Sequence, residues 1–327
     1  MTVKDLTADQ VGAVVELRFT LPTEGTDGED LTKPLEIEIF RSLAPKGAKL
    51  SPEAGAKPAA PWRVLKAPEL KQHVVDGKEE YADSLSPADL GSLVGSTFAY
   101  RVRGLTRGFR GRPVEAEPSN LARLTILNVP GPVTDLSITP TEKALDLSWS
   151  APAGSLTGQP GVPALRYHVY RREGGEGKPG PYRLIGEAPQ TSYADAGFEF
   201  GRYYSYRVRA VVSEDGQSAE SADSGARAIV PRDTFPPAPP AGLTAIYTSG
   251  AIELIWHPSL EPDLAGYKLY RREGGGQEEK LNPDLIRTPL YRDTAVSAGH
   301  RYAYRVTALD RTGNESSPSS EVEVEVP

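Results

Sequence analysis

The chain has no cysteine among its 327 residues. This absence excludes disulfide bonds, thiolate metal sites and a cysteine nucleophile, and it leaves the redox compartment undetermined. No apolar run approaches the roughly 20 residues that a membrane-spanning helix needs, so no transmembrane segment is predicted. A basic excess is also missing, since the net charge is −7. Because phosphate binding requires a basic surface, no nucleic-acid partner is expected.

The sequence contains internal repeats. One segment occurs three times, as FAYRVRG at 98–104, YSYRVRA at 204–210 and YAYRVTA at 302–308. Two further segments recur around it in the same order. They are VELRF, LDLSW and IELIW, which begin at residues 15, 145 and 252, and IEIFRS, YHVYRR and YKLYRR, which begin at residues 37, 167 and 267. A recurring order of this kind indicates one structural unit used three times.

Apolar and polar residues alternate within these repeats, so that Val15, Leu17 and Phe19 share one face of VELRF. Period-two alternation is typical of a half-buried strand, and 30 prolines and 32 glycines supply turns between strands. Residues 128–132 are expected to form a short linker, and residues 231–240, with five prolines, an extended semi-rigid spacer. The pattern predicts an all-β chain of three domains, at residues 1–129, 130–232 and 233–327.

The first domain departs from the repeat in three places. Residues 43–61 are rich in Ala, Pro and Lys without periodicity, which predicts a mobile surface loop. Ser86-Pro87-Ala88-Asp89-Leu90 has a capping serine, a proline at the first helical position and an early acid, which predicts the start of a short helix. The segment after Gly104 carries four arginines around an aromatic residue: Arg107, Phe109, Arg110, Arg112 and Arg123.

These segments resemble fibronectin type III modules, particularly bacterial ones. The features that carry the resemblance are an early proline, a strand ending in Trp149 or Trp256, a Tyr-x-Val-Tyr-Arg strand and a Tyr-x-Tyr-x-Val-x-Ala strand. The resemblance covers nearly the whole chain and implies three tandem immunoglobulin-like β-sandwiches. It is weaker in the first domain, where Phe19 replaces the Trp and Phe98 replaces a Tyr whose hydroxyl bonds to the backbone. That domain is expected to lack this hydrogen bond, worth on the order of 1 kcal/mol.

No catalytic constellation is predicted. The four histidines lie on different domains or strands without metal-ligand spacing and are expected to be surface residues: His73, His168, His257 and His300. The carboxylate pairs Glu79-Glu80 and Glu278-Glu279 are interpreted as solvated turn charges. We therefore expect no enzymatic activity, no metal site and no cofactor.

The candidate interaction surface is the outer face of two neighbouring repeated strands. Alternation directs Tyr170 and Arg172 outward, together with Arg207 and Arg209. The outward residues in the other domains are Tyr270, Arg272 and Arg305, and Phe40, Arg101 and Arg103. Aromatic and Arg side chains are enriched in binding hot spots. The alternative is that they stack on each other as cross-strand cation–π pairs, and recurrence in all three domains favours it.

Two local motifs complete the set of candidates. Arg107, Phe109, Arg110 and Arg112 form the least repeat-like segment and are a second candidate contact, against the alternative of a solvated basic loop. Asn314-Glu315-Ser316 matches a glycosylation acceptor, which matters only in a secretory pathway.

The sequence predicts a non-catalytic, elongated protein that presents interaction surfaces to a protein or polysaccharide at the cell envelope. Bacterial proteins of the resembled family are usually secreted, periplasmic or on the cell surface, so a leader before Thr2, with a lipid anchor, is expected. One alternative is a carbohydrate-binding or accessory module of a secreted enzyme. A third hypothesis is a hydrolase that uses a carboxylate pair across a domain interface.

Overall fold

Strands dominate the structure, a computed structural model that describes residues 2–25, 30–50, 60–70, 74–75, 77–158, 164–175 and 180–327. The strands form three β-sandwiches, each with a hydrophobic core of its own, which confirms the predicted all-β architecture. The chain divides into two compact units, Met1–Pro231 and Arg232–Pro327. The predicted domain boundaries stay predictions. Within the described ranges, no helix is long and apolar enough to cross a membrane.

The first sandwich contains nine strands in two sheets. They are β1 (Thr7–Val11), β2 (Val14–Thr20), β3 (Glu36–Ala44), β4 (Arg63–Leu65), β5 (Val74–Val75), β6 (Lys78–Ser84), β7 (Thr97–Arg107), β8 (Pro113–Glu115) and β9 (Ala122–Thr125). Two short helices, α1 (Ala67–Leu70) and α2 (Pro87–Leu93), and a 3-10 turn (Phe109–Gly111) lie between them. Helix α2 begins after Ser86 as expected, although the Ser86 side chain makes no capping hydrogen bond. Of the expected loop at 43–61, the start belongs to β3, and residues 51–59 lie outside the described residues.

The second and third sandwiches repeat this plan with fewer strands. The second contains β10 (Thr134–Pro140), β11 (Leu145–Ser150), β12 (Arg166–Glu173), β13 (Arg183–Ala188), β14 (Ser192–Asp195), β15 (Tyr204–Glu214), β16 (Gln217–Glu220) and β17 (Arg227–Ile229). The third contains β18 (Thr244–Thr248), β19 (Ala251–Ile255), β20 (Leu264–Glu273), β21 (Glu278–Lys280), β22 (Leu290–Asp293), β23 (Arg301–Asp310) and β24 (Val322–Glu325).

The repeated segments supply the cores because their alternation places every second side chain inward. In β11, for instance, Leu145, Leu147 and Trp149 are buried between exposed neighbours. Tyr204 accepts a hydrogen bond from the Glu199 backbone N–H at 2.9 Å, and Tyr302 accepts the equivalent bond from Ser297 at 3.0 Å. Phe98 occupies the corresponding place in β7 and has no hydroxyl, so the first sandwich lacks this bond, as expected.

One sheet runs from the first sandwich into the second. Its strand order is β13-β12-β15-β16-β1-β2-β6-β5, with β17 beside β15. The joining contact is a parallel pairing of Val11 with Glu220, and the Gly12 N–H donates to the Glu220 carbonyl at 2.8 Å. The segment at 128–132 connects the two sandwiches and packs against them, because Val129 is fully buried in a small cluster with Leu127 and Val212.

Two glutamine side chains seal this junction from opposite sides. The Gln10 amide, on β1, donates to the Leu127 carbonyl at 3.0 Å and accepts from the Leu127 N–H at 2.8 Å. The Gln217 amide, on β16, accepts from the Thr125 N–H at 2.8 Å and donates to the Thr125 carbonyl. Each amide therefore pairs with the backbone as a neighbouring strand would.

Glu79 contradicts the interpretation of Glu79-Glu80 as a solvated turn. It lies on β6 opposite Phe19, is completely buried, and neither carboxylate oxygen has a hydrogen-bond partner among the described residues. The strand continues through both residues, so the same alternation that buries Asp83 turns Glu79 inward. Burial raises the pKa of Glu79 to about 7.

We expect the stability of the first sandwich to fall as the pH rises from 5 to 8. Folded Glu79 holds its proton up to about pH 7, whereas the unfolded chain releases it near the ordinary glutamate value of about 4.3. The protonated Glu79 therefore stabilises the fold fully in acid. As the pH rises through the folded-state pKa, this contribution to the free energy of unfolding is lost, by on the order of 2 kcal/mol. Urea unfolding at each pH measures it. Glu79→Gln should make stability less dependent on pH, whereas Glu117→Gln, at an exposed position, should not. A wild-type stability that does not change with pH would contradict this account.

Candidate functional site

A buried Arg–Asp–Tyr network recurs in all three sandwiches. The aspartates, Asp83, Asp195 and Asp293, each accept a hydrogen bond from an inward tyrosine hydroxyl of the repeated YxYRV strand, at 2.7, 2.7 and 2.8 Å. Each also pairs with an arginine of the other repeated strand, at 2.9, 2.8 and 2.9 Å. The tyrosines are Tyr100, Tyr206 and Tyr304, and the arginines are Arg41, Arg171 and Arg271. The network holds two strands of one sheet to a strand of the facing sheet.

Burial, and then the hydrogen bond to the aspartate, raises the pKa of Tyr206 and of Tyr304. Both hydroxyls therefore stay protonated donors across the physiological range, and the network is structural. The sequence analysis missed it, although a signal was present. The aspartate is the last residue of Tyr81-Ala82-Asp83, Tyr193-Ala194-Asp195 and Tyr291-Arg292-Asp293, at a fixed place in every repeat.

The predicted outer face of the second sandwich is present, and its members are paired with each other. The Arg209 guanidinium lies 4.8 Å from the Tyr170 ring centre, and those of Arg207 and Arg172 lie 4.1 and 4.9 Å from the Tyr182 ring centre. The stacking predicted as the structural alternative is therefore observed. A role of these residues in binding stays a prediction.

Carboxylates also neutralise these arginines. Arg209 pairs with Glu220 at 2.8 Å and with Asp223 at 2.6 Å, and Arg207 pairs with Asp223 at 2.8 Å. The Tyr170 hydroxyl donates to Glu220 at 2.7 Å. The Arg209 side chain is only 14% exposed, so the outward direction is correct but free exposure is not.

The outward residues of the other sandwiches are also paired, in the third sandwich with carboxylates. In the third, Tyr270 donates to Glu315 at 2.9 Å, Arg272 pairs with Glu321 at 2.8 Å, and Arg305 bonds Glu278. In the first, Arg103 lies 5.2 Å from the Phe40 ring centre and bonds Glu38 at 2.8 Å, while Arg101 donates to the Ser119 carbonyl.

The basic segment of the first sandwich forms the turn between β7 and β8. Arg107 donates to the Gly111 carbonyl at 3.5 Å, and the Arg112 carbonyl accepts from the Gly108 N–H at 2.7 Å. Arg110 has a positive φ of 55° in the 3-10 turn. The Phe109 side chain and His73 lie outside the described residues. The structure thus keeps Arg107 and Arg112 on one hairpin, and their binding role stays a prediction.

A polar cavity of about 270 Å³ lies where the first sandwich meets the second. Asp9, Glu16 and Arg18 line it from the first sandwich, and His168, Tyr170, Arg209 and Glu220 line it from the second. His168 was expected on the surface, but its side chain is only 13% exposed and pairs with both Glu187 and Glu220. We name the charged residues around this cavity the junction cluster.

The third sandwich holds three carboxylates with the geometry of a metal site. Oxygens of Asp233, Asp263 and Asp310 lie within 4.8 Å of one another, and hard cations such as Ca²⁺ take oxygen ligands of this kind. Burial opposes the charge of Asp310, but hydrogen bonds from Asn314, Thr312 and Gly313 lower its pKa. Hydrogen-bond donors of the chain itself thereby stabilise the negative charge of this buried carboxylate.

Asn314 belongs to this cluster, which argues against glycosylation there. Its side-chain amide donates to Asp310 at 2.8 Å, to Thr312 at 2.9 Å and to the Asp233 carbonyl at 3.4 Å. A glycan on that nitrogen would disrupt these bonds.

The three sandwiches place the chain in the class of proteins built from tandem immunoglobulin-like modules. Comparisons with known proteins define this class more closely. No protein-family model matches the chain. The chain is similar to exoglucanase B of Cellulomonas fimi, with 33% identity over 145 residues, 43% of this chain and 13% of that protein. It is similar to an amylopullulanase of Thermoanaerobacter thermohydrosulfuricus, with 36% identity over 115 residues, 34% of this chain and 8% of that protein. The chain thus spans only a small part of these curated relatives.

Among solved structures, an Fn3-like protein from Clostridium thermocellum shares 30% sequence identity with this chain. The match covers 28% of this chain and 96% of that one, with a TM-score of 0.25. Together with the strand arrangement of the sandwiches, this identity across nearly a whole module shows that the chain belongs to the fibronectin type III family, as a tandem-module protein.

We expect Asp293→Ala to destabilise the third sandwich by about 3 kcal/mol, because it removes the buried acceptor of the Tyr304 hydroxyl and leaves Arg271 with the exposed Glu279 as its carboxylate partner. Arg271 is 11% exposed and has Asp293 as its buried partner. Denaturant unfolding followed by Trp256 fluorescence measures the cost. Asp284→Ala, which removes an exposed carboxylate from the same sandwich, should change stability by less than about 0.5 kcal/mol. Equal effects of the two substitutions would contradict the structural role of the network.

Proposed function

We propose that the chain is a non-catalytic accessory region of a larger extracellular enzyme that degrades polysaccharides. The observation that carries the proposal is the pattern of relatives. An exoglucanase and an amylopullulanase share this sequence over 13% and 8% of their lengths, so the similarity is confined to a minor part of each protein. A part that recurs in enzymes of different names is suited to a task common to both, such as holding a catalytic domain near its polymer.

The chemistry of the described side chains supports a non-catalytic role. His168 and His300 each pair with a carboxylate, and the inward tyrosines are locked by aspartates. The hydrolase hypothesis required a carboxylate pair across a domain interface. The junction does bring carboxylates together, but Glu220 is held by Tyr170 and Arg209, and these bonds favour a structural role.

The scaffold and adhesion hypothesis has less support than the accessory alternative. Its proposed contacts were the outer-face arginines, and in the second and third sandwiches these already pair with carboxylates or aromatic rings of the same sandwich. Both hypotheses place the protein outside the cytoplasm. This proposal includes secretion or a periplasmic location, display at the cell surface through a lipid anchor, and a protein or polysaccharide partner at the envelope. These parts rest on the family resemblance.

The accessory function predicts that the chain raises the activity of a catalytic domain on a polymer but not on a small substrate. The experiment joins the full chain to a glucanase domain and measures sugar release from microcrystalline cellulose and from a soluble chromogenic glycoside. Activity should rise on cellulose alone, because only an extended polymer benefits from spacing and orientation. The unjoined chain should hydrolyse neither substrate.

Two matched glycine substitutions test whether the joined first and second sandwiches matter. Gly12 and Gly250 both occupy the turn after the first strand of a sandwich, with φ of 58° and 82°. A Cβ on Gly12 would meet Ala222 at 3.2 Å, whereas a Cβ on Gly250 would meet nothing within 4 Å. Gly12→Val should reduce the gain on cellulose and Gly250→Val should preserve it. An equal gain on both substrates, or hydrolysis by the unjoined chain, would contradict the proposal.

A further inference from the structure

The junction cluster, taken together with the ion pairs that extend from it, contains more acids than bases. Two arginines face the cavity, Arg18 from the first sandwich and Arg209 from the second. The charged groups in reach of the cavity or of its lining are the carboxylates Asp9, Glu16, Glu80, Glu187, Glu220 and Asp223, and the bases Arg18, Arg166, Arg207, Arg209 and His168. Within the described part of the chain, the seam between the two sandwiches therefore carries surplus negative charge at neutral pH.

The two sandwiches contribute unequally to this surplus. In the second sandwich, burial opposes the charge of Glu220, but hydrogen bonds from His168, Arg209 and Tyr170 lower its pKa to about 2. Glu220 is thus ionised throughout the range from pH 5 to pH 8. It is a fixed negative charge at the point where β1 joins β16.

The carboxylates of the first sandwich lie around Arg18, and two of them share the cavity with Glu220 and Arg209. Arg18 bonds Glu16 at 2.7 Å and Glu80 at 2.9 Å, and lies 4.0 Å from Asp9. Burial raises the pKa of Glu16; Arg18 and Arg209 oppose this rise, and Glu80 and Glu220 add to it. Burial and then Glu220 raise the pKa of Asp9 against Arg18. Asp9 is 58% exposed and Glu16 25%, so Glu16 is the group that the closed junction affects most.

We propose that the junction between the first and second sandwiches is a pH-sensitive coupling, in which proton uptake by Glu16, aided by Asp9, tightens the contact between β1 and β16. Proton binding and closure of the junction are thermodynamically linked, so the state that binds protons more strongly is favoured in acid. Opening the junction would hydrate Glu16 and separate it from Glu220, which raises its pKa, and from Arg209, which lowers it. Because burial is the largest of these effects, the closed junction holds the proton more strongly than the open one. Acidification therefore favours closure, and a rise in pH through the closed-state values weakens it.

The third sandwich provides a natural comparison. Glu253 occupies the same place in β19 that Glu16 occupies in β2, as the second residue of the repeated segment. It lies opposite Arg292 in the neighbouring strand. No junction cluster surrounds it within its own compact unit, so replacing it with glutamine should leave strand contacts unchanged.

Amide hydrogen exchange tests the coupling directly, because one amide crosses the junction. The Gly12 N–H bonds to Glu220 of the second sandwich, whereas the Leu85 N–H bonds to Ala13 within the first. Protection factors of both amides, corrected for intrinsic exchange, are measured on the full chain between pH 8 and pH 5. Their ratio isolates opening of the junction from unfolding of the first sandwich, including the effect of Glu79.

We expect the ratio of Gly12 to Leu85 protection to rise several-fold as the pH falls, because the closed junction takes up protons that the open one does not hold. Glu16→Gln should show a high ratio already at pH 8 and lose most of the pH dependence. Glu253→Gln should behave as the wild type. A ratio that is constant or falls on acidification, or a pH dependence that survives in Glu16→Gln, would overturn the proposal.

Discussion

The hydrogen bond from Gly12 to Glu220 joins two sheets into one, and the arrangement of the first unit depends on it. The backbones approach so closely that residue 12 needs both a positive φ and no Cβ, which only glycine combines without strain. Once β1 lies beside β16, the Gln10 and Gln217 amides meet the backbone at Leu127 and Thr125, and Val129 is buried. Two modules that each fold around a separate core become a single body.

A second constraint acts inside each sandwich. An inward aspartate would be costly to bury alone, and it is tolerated because a tyrosine hydroxyl and an arginine reach it from the facing sheet. The outer arginines are likewise matched by aromatic rings or by carboxylates, such as Asp223 for Arg207. Within the described part of the chain, these outer faces are therefore held together by contacts inside each sandwich.

Much of this fold could be predicted from the sequence, because alternation is a local property that repeats expose. The inward position of Tyr206 and the outward position of Arg209 both follow from it. Glu79 shows a conflict between two local signals. Its hydrophilicity indicates a turn, whereas alternation with Tyr81 and Asp83 indicates an inward side chain. In the structure, Glu79 follows the alternation of the strand and points inward.

The junction could not be predicted in the same way. Pairing of β1 with β16 depends on the relative placement of two modules, and that placement leaves no periodicity in the sequence. Gln10 and Gln217 read as ordinary polar residues until the segment between the modules is seen packed against them. Because Arg209 and His168 lie at this contact, their exposure was overestimated for the same reason.

Residual dipolar couplings test the central claim, that the first two sandwiches form one body, most directly. Backbone N–H couplings would be collected for residues 3–126 and 133–230 of the full chain in a weakly aligned medium at pH 6. The account predicts that one alignment tensor fits both sets with the geometry of the shared sheet. Two tensors of different magnitude would show that the sandwiches reorient independently, and would contradict it.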